Sequence, residues 1–142
     1  MTKNIILSLL MIVGITIIGC KKKTTTTSSS TDKRVPPDLT FNPGAAYVTK
    51  DTTVTKQDTL MFSIKVTKTE DNLTSFNASY AYDASTTTTT FFNHTMLTAE
   101  YTGYSTTVQY ITRNQSGTET LTFSVVDRDG NISKKTVVLT VP

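Results

Sequence analysis

Few residues in this chain have the chemistry to build a site, and their spacing limits what that site could be. Its 142 residues include one histidine, one cysteine and no tryptophan. His94 could serve as a general base, but that role needs a positioned nucleophile and an orienting acid. No G-x-S-x-G elbow occurs, so a solvent-facing loop is the expected setting for His94. The only glutamates, Glu70, Glu100 and Glu119, each stand in a polar stretch. Glycoside hydrolysis would need two carboxylates across a cleft, which a small β domain rarely makes. One histidine and one cysteine exclude the usual His/Cys metal centres within one chain. Asp127, Asp129 and Asn131 have the 1, 3, 5 oxygen spacing that opens a Ca²⁺ loop. The match then fails, because Gly130 takes the fourth place instead of the sixth and Val138 stands where a Glu should. The segment reads as a tight turn, with a weak cation site as the lesser alternative. No cofactor, no resident metal and no catalytic activity are expected.

Aromatic rings offer a different chemistry. Phe91-Phe92 and Tyr101-Thr-Gly-Tyr104 flank the Thr86–Thr90 run, where regular periodicity is lost. Exposed Phe and Tyr serve protein-binding and sugar-binding surfaces. The chain has only six Phe and six Tyr, so a core needs most of them. Core packing is therefore the first expectation for these four rings, and a binding surface the second.

The elements that must position these residues are strands. A length of 142 residues favours one domain. Threonine is in large excess, which favours strands and extended linkers over helices. Leu60, Phe62, Ile64 and Val66 alternate with Met61, Ser63, Lys65 and Thr67, the two-residue period of a half-buried strand. Phe76, Ala78, Tyr80 and Tyr82 repeat the pattern, as do Leu121, Phe123 and Val125, and Val137, Leu139 and Val141. Leu39–Phe41 and Ala46–Thr49 can extend, with a break at Lys50-Asp51-Thr-Thr. Val108 and Tyr110 are ambiguous, since Ile111 is apolar on the other phase. Asp129-Gly130 between the last two strands is a hairpin signal. Strands at short spacing with turns between them predict an all-β sandwich or barrel over residues 38–142.

Before that domain the chain changes character twice. Ile5 to Ile18 is apolar but for Ser8, Gly14 and Thr16, and follows a polar start with Lys3. It is short for a span, which needs ~20 residues, and fits a secretory signal. The run ends at Ile17-Ile18-Gly19-Cys20, which resembles the lipobox of bacterial lipoproteins. The resemblance implies cleavage after residue 19 by signal peptidase II, a diacylglyceryl thioether on Cys20, and acylation (palmitate or a similar chain) of the new amine. The alternatives are a signal anchor with an incidental thiol, or a signal cut elsewhere. Residues 20–37 then read as a tether: three lysines, a Thr/Ser run, and Pro36-Pro37. It has no apolar face to offset its ordering entropy. Residues 21–34 carry five basic residues and one acid, and residues 35–142 carry eight and ten. The positive charge thus belongs to the tether, and no nucleic-acid partner is expected.

The segment from Phe123 through Asp127-Arg-Asp129-Gly130-Asn131 to Val141 resembles the closing strand pair of bacterial immunoglobulin-like domains. There is no Cys pair and no Trp, and Leu121 replaces a corner tyrosine, so the likeness is to envelope modules and not to antibody domains. It implies an Ig-like antiparallel β-sandwich of about seven strands. The combined expectation is a cell-envelope lipoprotein, held by lipid on Cys20 at the outer membrane and facing either the periplasm or the surface. Its module would bind a protein or glycan. The alternative is a structural spacer or accessory lipoprotein without a specific ligand, and a small hydrolase or enzyme inhibitor is the distant third.

Overall fold

The computed structural model describes residues 34–142. The expected signal peptide, Cys20 and the tether up to residue 33 lie outside the described residues. Among the described residues no helix is long and apolar enough to cross a membrane.

Eight strands form: β1 (Asp38–Phe41), β2 (Thr52–Thr53), β3 (Thr59–Thr67), β4 (Leu73–Tyr82), β5 (Thr89–Thr95), β6 (Gly103–Ile111), β7 (Gly117–Asp127) and β8 (Ile132–Val141). They make two sheets, ordered β1-β3-β6 and β2-β8-β7-β4-β5. Every pairing is antiparallel except the short parallel contact of β2 with β8. Strands one, three and six in one layer, facing the last two and the fourth in the other, give the order of an immunoglobulin-like sandwich. β5 extends the second sheet beyond β4, and no further strand follows it before β6.

The alternation seen in the sequence becomes the core. Phe62, Ile64 and Val66 of β3 are buried against Phe76 and Ala78 of β4, Leu121, Phe123 and Val125 of β7, and Val137 and Leu139 of β8. Val108 and Tyr110 face inward and Ile111 outward at 59% exposure, which resolves the ambiguous strand. One expected strand shifts. Ala46–Thr49 is not a strand, and pairing resumes at Thr52–Thr53, where the sequence suggests a break. Asp51 explains the displacement: its carboxylate accepts the Val138 N–H at 2.8 Å and fixes the approach of β2 to β8.

A bulge in the β4–β5 pairing sets Ala78 opposite Phe92 but Ser79 opposite Thr90, leaving Phe91 as the extra residue. A bulge turns consecutive side chains toward one face. Both Phe91 and Phe92 accordingly pack on the core. The first described residues run along the end of the sandwich holding the β3–β4 and β7–β8 connections. There the Thr69 hydroxyl donates to the carbonyls of Val35 and Pro36, and the Ser133 hydroxyl donates to that of Pro37. The β4–β5 and β6–β7 connections and Pro142 lie at the other end.

Candidate functional site

The side of the sandwich between the edge strands β5 and β6 is closed by rings. Phe91, Phe92, Tyr101 and Tyr104 are all half-buried and packed against the core. Phe91 lies 4.9 Å from Tyr110 and Phe92 5.9 Å from Phe76, centroid to centroid. His94 is not on a loop, as the sequence suggests, but on β5 with its side chain 27% exposed. Its ring stacks on Tyr104 at 4.4 Å and 7°. Its Nε2 lies 2.7 Å from Glu100 Oε2, which also accepts the Leu97 N–H at 2.8 Å. The Leu97 N–H first, then His94, hold the Glu100 carboxyl below its ordinary range. A base and an orienting acid are thus present, but no hydroxyl or thiol is bonded to His94 among the described residues. A groove of about 250 Å³, lined by Leu73, Thr74, Thr95, Met96 and Tyr101, does not include His94. Arg128 at its rim is already held by Asp71 and Asp129.

A second cluster is absent from the sequence reading. Glu119 is fully buried, which corrects the expectation that it sits in a polar setting. It occupies the inward phase of β7, in line with Leu121, Phe123, Val125 and Asp127. That phase is the signal that could have found it. Tyr110 donates its hydroxyl to Glu119 Oε2 at 2.6 Å, and the Arg113 N–H donates to Oε1 at 2.8 Å. Burial, together with the bond to Glu119, pushes the Tyr110 hydroxyl far above its ordinary pKa. The Arg113 guanidinium lies 4.6 Å over the Tyr82 ring and pairs with Asp83, which also accepts the Thr118 N–H. Asp83 and Ala84 take left-handed backbone, φ +49° and +61°, in this corner. Gly117, at φ +140°, leaves the space through which Arg113 reaches Asp83. Every charge here has a partner within the chain. The arrangement ties the β4–β5 and β6–β7 connections together.

The other inward acid of β7, Asp127, organises the hairpin. Its Oδ1 accepts the N–H groups of Asp129 and Asn131 at 3.0 and 2.8 Å, and Oδ2 accepts the Asn131 amide at 2.9 Å. These oxygens point at N–H donors and converge on no common centre. Gly130 supplies the left-handed residue, φ +85°. Among the described residues no three His, Cys, Asp or Glu side chains cluster so as to hold a metal ion.

No protein-family model matches the chain, and no curated protein matches it. Among solved structures it is similar to murine CRIg at 12% identity, with a TM-score of 0.41 over 76% of this chain and 99% of that one.

Proposed function

We propose that the chain is a cell-envelope lipoprotein, anchored by lipid on Cys20, whose β-sandwich is an interaction module and not an enzyme. The observation that carries the reading is the lone thiol: Cys20 stands directly after an apolar run and before a charged, hydroxyl-rich stretch. In an oxidising compartment a free thiol there would be a liability, whereas a thioether is inert. Each buried acyl CH₂ adds ~0.8 kcal/mol of membrane affinity, so two or three chains hold a protein firmly without a span. The His94 ring is engaged by Glu100 and Tyr104 within the chain, which supports a packing role for it. The partner class is a protein or a glycan.

The inward packing of Phe91, Phe92, Tyr101 and Tyr104 favours a second reading, a spacer that holds its ends apart without a specific ligand. Metabolic labelling with palmitate tests the anchor. The wild type should incorporate label and sediment with membranes, and Cys20→Ser should do neither. Label retained by Cys20→Ser would overturn the lipoprotein reading.

A further inference from the structure

Four strand edges bound the two sheets, and they are not alike. β1 has four residues, begins at Asp38 and is flanked by Pro36-Pro37 and Pro43, and β2 has only two residues. Short length, charge and proline are the usual protections of an edge. The edge on the opposite side of the first sheet has none of them. β6, Gly-Tyr-Ser-Thr-Thr-Val-Gln-Tyr-Ile, has nine residues without charge or proline. It pairs with β3 in unbroken register, so no bulge twists it away.

The direction of its free groups follows from its ends. The Thr102 carbonyl accepts from Lys68 and the Thr112 N–H donates to Asp58, so both point toward the β3 side. Backbone groups alternate along a strand. Those of Gly103, Ser105, Thr107, Gln109 and Ile111 therefore face away from β3. No hydrogen bond reaches them among the described residues, and all five residues are exposed.

We propose that β6 is a dimerisation edge, at which a second copy of this chain pairs its own β6, antiparallel and centred on Thr107. The strand is self-complementary in that register. Thr107 opposes Thr107, Ser105 opposes Gln109, and Ile111 opposes Gly103. The one large apolar side chain on the outward phase thus lies over the one residue without a side chain, at both ends. A neutral strand meets itself without like-charge repulsion, and cross-strand Thr pairs are favourable. All five outward residues of each copy become hydrogen-bonded pairs, and the first sheet continues across the two copies as six strands. Antiparallel pairing sends the first described residues of the two copies out at opposite ends of the pair. The pairing goes beyond the proposed anchor and does not depend on it.

Cysteine cross-linking in the full-length chain carrying Cys20→Ser, so that no other thiol is present, tests the register. Opposed residues of a hydrogen-bonded antiparallel pair have Cα atoms ~5.5 Å apart, inside the disulfide range. Under oxidation Thr107→Cys should give a disulfide-linked product at twice the chain mass. Ser105→Cys with Gln109→Cys in one chain should do the same. Ser105→Cys alone should match the Cys20→Ser parent, because its symmetry mate lies four residues, ~13 Å, along the strand. Adding Thr107→Lys to the double-cysteine chain should abolish the product while leaving the circular dichroism unchanged. Three outcomes would overturn the proposal: no product from Thr107→Cys, equal product from Ser105→Cys alone, or a product at another mass, which would place a different protein on the edge.

Discussion

Replacing Tyr110 by Phe removes a single oxygen, and its effect measures how much the buried Glu119 network contributes. The hydroxyl donates at 2.6 Å to a carboxylate with no exposed surface. A hydrogen bond to a charged group contributes about 1.5–3 kcal/mol net. Glu119→Ala removes the acceptor and leaves two buried donors, the Tyr110 O–H and the Arg113 N–H, without partners. Breaking a buried charged cluster from one side costs about 3–5 kcal/mol. A domain of this size has only ~5–15 kcal/mol in total, and each kcal/mol moves Tm by ~4–8 °C. Tyr110→Phe should therefore lower Tm by about 10 °C, and Glu119→Ala by about 12–40 °C. Urea denaturation of Tyr110→Phe, Glu119→Gln and the double variant gives the coupling, expected at ~1 kcal/mol or more between contacting groups. A Tyr110→Phe effect within ~0.5 kcal/mol of zero, or strict additivity in the cycle, would refute the argument that the carboxylate is held by this hydroxyl.

Gly117→Ala should destabilise more than Gly130→Ala. Both have positive φ, but a Cβ at 117 meets the Arg113 guanidinium and the Asp83 carboxylate, while a Cβ at 130 meets nothing within 4 Å. Thermal melts should show only the backbone strain at Gly130→Ala, about 1–2 kcal/mol. Acid should weaken the fold through Asp83 and Glu100. Asp83 is depressed first by the Arg113 guanidinium and then by the Thr118 N–H, and Glu100 by Leu97 and His94. Their stabilisation is complete above the ordinary values of 3.8 and 4.5 and is lost as pH falls through the lower folded values. Asp71 runs the other way, raised by burial and by Asp129. Melts from pH 6 to pH 2 should fall less steeply in Asp83→Asn and more steeply in Asp71→Asn than in the wild type. A chain lacking residues 1–33 should melt at the same temperature as the full chain, with a β-type circular dichroism spectrum.

How legible the molecule is in its sequence depended on periodicity. β3, β7 and β8 stand out because each carries three or more apolar residues at alternate positions, Leu60 to Val66, Leu121 to Val125 and Val137 to Val141. β2 was hidden because two threonines held by a neighbouring Asp51 carry no period. The setting of Phe91-Phe92 was hidden because a bulge, which depends on the partner strand, turns consecutive residues to one face. His94 read as a loop residue because nothing local announces its stack on Tyr104, a contact between two sheets. Glu119 was misread because its neighbours in sequence are polar, although its phase on β7 is that of Leu121 and Phe123. The four half-buried rings were ambiguous in sequence for a physical reason: they close the side of a sandwich, where one face of each ring is core and the other is rim.

Mass spectrometry of the N-terminal peptide of the membrane-extracted protein tests the lipoprotein assignment most directly. The peptide should begin at Cys20 and carry the mass of a diacylglyceryl group, with a further acyl chain on its amine. A peptide that begins at Met1, or at any residue other than Cys20, with an unmodified thiol would contradict it.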